Sequence, residues 1–169
     1  MTDFPRVLWA DLHNHNEVGY GQGSLDRSYR IAENTLDVFA FSAHGYWPDP
    51  PANDPQLVDY HTKAFDTISA AFPRVISEAN RRYVPGRFVT FIAYEWHSTS
   101  WGDYVVIFPG ESGNLHRARN LEELQRFVRE RGALMIPHHV GYRRGWRGLD
   151  WGRIDSALTP LVEVFSEHG

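Results

Sequence analysis

The sequence predicts an α/β fold whose mostly parallel sheet is open or rolled into a barrel, and three observations carry that expectation. Short apolar runs of high β-propensity alternate with stretches of helical period along the whole chain. Nearly every apolar run stops at a histidine or a glutamate. The 169 residues, 42% of them hydrophobic and without internal repeat, suit one domain spanning 1–169 around one core.

In chain order, residues 6–12 are the first strand, apolar enough to be central in a parallel sheet. Residues 14–23 form a loop punctuated by Gly19, Gly21 and Gly23. Ser24 caps a helix running to about Asn34, with Leu25, Tyr29, Ile31 and Ala32 as its apolar stripe. Residues 36–41 are the second strand, which stops at Ser42-Ala43-His44-Gly45. The prolines of 46–55 remove backbone donors and fix φ, so this stretch is a loop. From 56 to 83 Leu57, Tyr60, Ala64, Ile68 and Phe72 recur at helical spacing, and Pro73 is expected to kink or end the helix.

Pro85-Gly86 marks a turn into the strongest strand, 87–94, which ends at Glu95-Trp96-His97. Residues 104–108 are a short fourth strand. Asn120 with Glu123 matches a capping box for a helix that Gly132 ends. Residues 133–137 form a fifth strand with His138-His139 at its end, and a Gly/Arg/Trp loop occupies 142–151. Residues 161–165 form a sixth strand, followed by Ser166-Glu167-His168-Gly169.

Composition narrows the function. A net charge of -4 and a pI near 6.1 argue against nucleic-acid or membrane-surface binding, which needs a basic excess. There is no cysteine, so any metal is held by His, Asp and Glu, a donor set that suits Zn, Mn or Fe. The first residues carry no secretory pattern and no apolar run is long enough to span a bilayer, which makes a cytoplasmic protein the expectation.

The histidines supply the strongest signal. In parallel α/β sheets the carboxyl ends of the strands open onto one face, where sites form. His13 and His15 follow the first strand, and their i, i+2 spacing points both imidazoles to one side. His44 follows the second strand, Glu95 and His97 the third, His138 and His139 the fifth, and His168 the sixth. Seven of the nine histidines thus sit at strand ends; His61 and His116 fall elsewhere. The expected metal ligands are His13, His15, His44, Glu95, His138 and His168. Either member of the His138-His139 pair can be the ligand, the other touching substrate. Glu95 is the group able to bridge two ions. Catalytic work is assigned to His97, His139, Arg143 and Arg144.

Five segments together resemble a known family. They are Asp11-Leu12-His13-Asn14-His15, the strand with His44, and Pro85-Gly86-Arg87-Phe88-Val89-Thr90-Phe91 leading to Tyr94-Glu95-Trp96. Pro137-His138-His139 and Glu163-Val164-Phe165-Ser166-Glu167-His168-Gly169 complete the set. In this order they resemble the PHP (polymerase and histidinol phosphatase) superfamily, above all its branch named domain-of-unknown-function 3604. The resemblance implies a distorted (β/α)7 barrel with a di- or trinuclear metal centre at the strand ends. It would place His13 and His15 on one metal, Glu95 as the bridge, and His44 with His138 or His139 on the others, in an enzyme that hydrolyses phosphate esters. Ala43 stands where members usually carry Asp, and the closing Asp-x-His motif has no counterpart before Gly169. The expected barrel is therefore incomplete, an N-terminal portion that a C-terminal segment or a second chain completes.

Metal-assisted hydrolysis of a phosphoester by activated water is the leading chemistry. The alternatives are an amidohydrolase-like metal hydrolase acting on amide or ester bonds, and a non-catalytic metal-binding fragment or subunit. Many amidohydrolases bridge their metals with a carbamoylated lysine, and Lys63, the only lysine, lies on a predicted helix. The expected substrate is a small anionic or aromatic molecule. The arginines of the loop Tyr142-Arg143-Arg144-Gly145-Trp146-Arg147, Arg143 and Arg144 foremost, would hold its phosphate or carboxylate, and Trp47, Trp96, Trp101, Trp146 and Trp151, in loops at the same end, would wall an aromatic pocket.

Overall fold

The computed structural model describes residues 6–166. Its elements are β1 (Ala10–Asp11), α1 (Leu25–Thr35), β2 (Val38–Phe41), β3 (His44–Tyr46), α2 (Pro55–Arg82), β4 (Val89–Trp96), β5 (Asp103–Phe108), α3 (Leu121–Glu130) and β6 (Leu134–His138). A 3-10 turn at Trp151–Arg153 follows. The strands make one curled sheet in the order β1-β2-β4-β5-β6, with the short β3 pairing beside the end of β4. The result is a half-barrel with helices outside.

Side-chain alternation along the strands builds two layers. Ile92, Tyr94 and Trp96 of β4, with Tyr104, Val106 and Phe108 of β5, point outward into the large core under the helices. Phe91 and Ala93 of β4, Val105 and Ile107 of β5, Ala40 and Ile136 point into the concave side. By the same period Glu95 and His97 continue the inner row of β4, and Asp103 and His138 those of β5 and β6. The inner face is thus apolar along its length and polar at one end.

Local signals explain the helices. Ser24 caps α1 by accepting from Arg27 N, and Asn120 caps α3 by accepting from Glu123 N. Asp54 accepts from Leu57 N and Pro55 opens α2. Pro73 does not end this helix as expected: α2 runs unbroken for 28 residues. Ile68, Phe72 and Val75 around the proline are all buried in the core, and that packing outweighs the missing backbone bond.

Three further expectations change. The sheet is mixed, because β5 runs antiparallel to both β4 and β6. Only residues 97–102 join β4 to β5, too few for the crossover that a parallel neighbour needs. The first strand shrinks to Ala10–Asp11, and Val7, Leu8 and Trp9 are exposed at the sheet edge. Residues 161–165 are not a strand. They follow β6 through single bonds such as Glu163 N to Pro137 O, and Val164 and Phe165 are exposed, with no strand beside them among the described residues.

Candidate metal centre

Glu95 is the centre of the polar end. The inner row of β4 carries its carboxylate into the site, fully buried. Its Oε1 lies 2.6 Å from His138 Nε2 and 3.4 Å from His97 Nδ1. Its Oε2 lies 3.1 Å from His44 Nδ1, 3.5 Å from His15 Nε2 and 3.6 Å from His13 Nε2. Five imidazoles from four parts of the chain therefore surround one carboxylate.

The His13–His15 segment is held against β2 by its own polar groups. Asn14 donates from Nδ2 to Ala40 O and from N to Ser42 Oγ, while Asp11 accepts from His13 N. The next loop folds back with Gly21 N donating to Asn16 O, and a Cβ at Gly21 would stand 2.6–2.9 Å from the backbone of His15 and Asn16. This close approach needs glycine. It lays the Tyr20 ring on His44 at 4.1 Å and brings Tyr20 Oη within 2.6 Å of His61 Nδ1. His15 also stacks on His44, at 4.1 Å.

The protonation states suit cation ligation. Burial lowers His15 to about 4, against the attraction of Glu95, and drives His44 well below its ordinary value. His139 is likewise lowered by burial, to about 3. These rings are neutral near pH 7, the form that offers a lone pair to a metal. His13 is the exception. Burial disfavours its charge, but the bond to Glu163 and the nearby Glu95 carboxylate prevail and push it up to about 10. Burial would raise Glu95 too, yet the surrounding imidazoles keep it ionised, well below the usual carboxylate range.

Among the described residues, three groups of side chains are close enough to converge on a cation: His13, His15 and Glu95; His44, Glu95 and His97; and Glu95, Asp103, His138 and His139. All contain Glu95. The fit has an internal mark as well. Glu95 Oε2, His15 Nδ1 and His138 Nδ1 are buried and make no hydrogen bond among the described residues. Buried polar atoms are rarely left so unless a ligand completes them.

The expected ligands His13, His15, His44, Glu95 and His138 are all brought together, and His97 and His139 stand among them. His168 lies outside the described residues. Arg143 and Arg144 do not reach the site: both are exposed, and Arg144 pairs with Asp150. The arginine that does reach it is Arg147. Gly148 packs so tightly on Tyr142 and Arg143 backbone that a Cβ would lie 2.2–2.4 Å away, and Arg147 itself adopts φ 61°. The loop therefore curls back and turns Arg147 inward.

Arg147 holds Asp103 through Nε at 2.8 Å and Nη2 at 2.5 Å, and its Nη2 lies 3.5 Å from His97 Nδ1. Burial would raise Asp103, but its contacts with His97 and the Arg147 charge hold it below its ordinary value. Arg147→Gln would leave the fully buried Asp103 charge unpaired. We expect the chelator-treated protein to lose about 3 kcal/mol in urea unfolding; an unchanged midpoint would show that the pair contributes nothing.

Sequence reasoning assigned no role to Asp103, Tyr20, His61 or Glu163, and it placed Arg143 and Arg144 ahead of Arg147. Asp103 starts rather than ends a strand, and the shortness of 97–102 was the signal that β5 runs backwards. His61 follows Leu57 by one helical turn and precedes Phe65 by another, so the apolar stripe of α2 already placed it on the buried face. Glu163 accepts from His13 Nδ1 at 2.8 Å, linking the two ends of the described chain at the site. Of the tryptophans, Trp96 faces the outer core and donates to Ala118 O, Trp101 packs on that core, and Trp151 is exposed. Only Trp47 and Trp146 line a cavity near the site.

The centre opens into a cleft of about 660 Å³ lined by His13, His15, His44, Tyr20, His61, Arg147 and Glu163 among others. A half-barrel α/β domain with a His/Glu cluster able to hold metal is what fold and site together define. No protein-family model and no curated protein matches the chain. Among solved structures, PsfC from Pseudomonas syringae superposes with a TM-score of 0.54 at 15% identity, covering 92% of this chain and 64% of that one. A two-domain protein from Bacteroides vulgatus, described as containing a predicted PHP-like metal-dependent phosphoesterase, gives 0.41 at 17%, covering 95% and 40%. The chain thus spans less than two thirds of either protein, and the likeness to PsfC is one of fold. No helix among the described residues is long and apolar enough to cross a membrane.

Proposed function

We propose that the chain is the metal-binding part of a metal-dependent phosphoesterase of the PHP type. The observation that carries this reading is the buried Glu95 carboxylate shared by three converging ligand groups. The PHP-like motifs, in their order along the chain, favour phosphoesters over other substrates. His13, His15, His44, His97, His138, His139, Asp103 and Glu95 would hold Zn, Mn or Fe ions. Divalent ions there would supply a water deprotonated near neutral pH and positive charge for the phosphate oxygens.

The chain's own residues do the remaining work. Glu95 stays ionised, and burial keeps His15, His44 and His139 neutral, so these donors are ready without prior loss of protons, whereas His13 must release one. Glu163 fixes the His13 ring from its far nitrogen, and Arg147 fixes Asp103. Arg147 also lines the cleft, where its guanidinium can pair with an anionic substrate. In the overall reaction water adds to phosphorus, the P–O bond to the alcohol breaks, and the alcohol leaves with a proton. The open sheet edges beside Trp9 and Val164 are where a C-terminal segment or second chain would complete the barrel.

The competing amidohydrolase reading loses its usual bridge, because Lys63 is exposed on α2 and pairs with Asp59. Protein purified without chelator should carry about two or more divalent ions per chain by elemental analysis. It should release phosphate from mono- or diesters and leave amides and lactones intact. Metal near zero would overturn the reading, turnover of amides alone would favour the amidohydrolase class, and metal without any turnover would make the chain a binding module.

A further inference from the structure

A second cavity, about 170 Å³, adjoins the metal cleft, and Leu57 and Arg147 line both. Its other walls are Trp47, Pro51, Thr99, Tyr142 and Trp146. Among the described residues it is built largely from flat apolar surfaces, with one charged side chain, Arg147, at the junction. The Arg147 guanidinium lies 5.3 Å from the Trp47 ring centroid and 5.5 Å from that of Tyr142, while its other contacts turn toward Asp103.

The walls are fixed before any ligand arrives. Trp47 is buried and donates from Nε1 to Thr99 Oγ1. Asp49 clamps the loop behind it by accepting from Thr99 N, Ser100 N and Ser98 Oγ. Arg147 N donates to Thr99 O, tying the two loops together, and Arg147 holds a left-handed backbone conformation that a non-glycine residue rarely adopts. Trp146 remains 43% exposed on the rim. A preformed pocket of this kind loses little on binding a rigid partner.

We propose that this cavity receives the organic group of the substrate, and that the group is a single planar aromatic or heteroaromatic ring whose phosphate sits at the Glu95 centre. The inference rests on the phosphoesterase reading for the phosphate and on the cavity alone for the ring. The volume matches one ring: an apolar cavity of about 150 Å³ is enough to bind benzene. Flat indole and phenol walls favour offset or edge-on packing against another ring. The cation at the junction marks the side where the ester's negative charge belongs.

The test uses metal-loaded protein, with phenylphosphonate and methylphosphonate as non-hydrolysable probes in calorimetry. Phenyl phosphate and methyl phosphate serve as substrates. Phenylphosphonate should bind at least about tenfold tighter than methylphosphonate, a gain within reach of burying one ring. Trp146→Ala should abolish that preference and lower the phenyl-to-methyl ratio of kcat/KM by the same factor, and Trp146→Phe should restore both. Equal affinities in the wild type, or a preference that survives Trp146→Ala, would overturn the proposal. If the binding preference is found but no ester is turned over, the pocket stands and the hydrolase reading falls. If both esters are hydrolysed with no preference for the ring, the hydrolase reading stands and the pocket falls.

Discussion

Glu95→Gln is expected to strip the centre of most of its metal and to lower ester turnover by more than about 100-fold, beyond what loss of a supporting hydrogen bond produces. The reason is geometric. Glu95 belongs to every converging group, with His138 at one oxygen and His44, His15 and His13 around the other. The amide keeps the shape of the side chain but removes the charge and turns one acceptor into a donor facing imidazole nitrogens. Glu163→Gln is the matched control, because Glu163 touches the site through His13 Nδ1. It should weaken metal binding by about 10- to 100-fold while leaving the ligand set intact. Elemental analysis after dialysis and phosphate release read both variants. Full metal occupancy in Glu95→Gln would remove the carboxylate from the centre of the site.

Stripping the metal should make the fold acid-sensitive, with a definite sign. Burial depresses His15 and His61 to about 4 and His139 to about 3, from an ordinary 6.5. Each ring is uncharged in the folded chain and takes up a proton more readily when unfolded. Their contribution is fully present above pH 6.5 and is lost as pH falls toward 4 and below. Every tenfold difference in proton affinity between the folded and unfolded chain is worth about 1.4 kcal/mol, so the chelated protein should lose several kcal/mol across that window. His13 acts in the opposite sense. Raised to about 10 by Glu163 and Glu95, it stabilises below pH 6.5 and ceases to do so as pH climbs to 10. Four depressed rings, His44 among them, against one raised ring leave a net loss in acid.

Metal added at about 1,000 times its Kd should stabilise by about 4 kcal/mol per site near neutral pH. Protons compete for the same nitrogens, so this gain should fade as pH falls. Urea unfolding at several pH values, with chelator and with manganese, measures both effects. A pH-independent midpoint in chelator would contradict the buried neutral imidazoles.

Much of the site was legible before folding. A histidine at the end of an apolar run has one place to go in an α/β sheet, which is why His13, His15, His44 and His138 could be named from strand ends. What escaped was set by chain direction and by loops. Asp103 escaped because a strand that runs backwards presents its first residue, not its last. Arg143 and Arg144 were favoured over Arg147 because three arginines in one loop look alike until Gly148 folds that loop on itself. His61 and Tyr20 escaped because a helix and a glycine-rich loop bring them to the mouth of the cleft from outside the strand-end pattern.

The sequence by itself determined the elements and the donor chemistry. Alternation at a period of two decides which side chains of β4 share a face, and the absence of cysteine decides that a metal here meets nitrogen and oxygen. Only the tertiary structure decided that one carboxylate serves five imidazoles and that β5 runs antiparallel. It also turned Arg147 inward and left residues 161–165 as an irregular segment that carries Glu163 into the site rather than as a strand. Those outcomes depend on which distant segments pair and in which direction. Local periodicity carries the face of a side chain, but its neighbour across the sheet exists only once the sheet has formed.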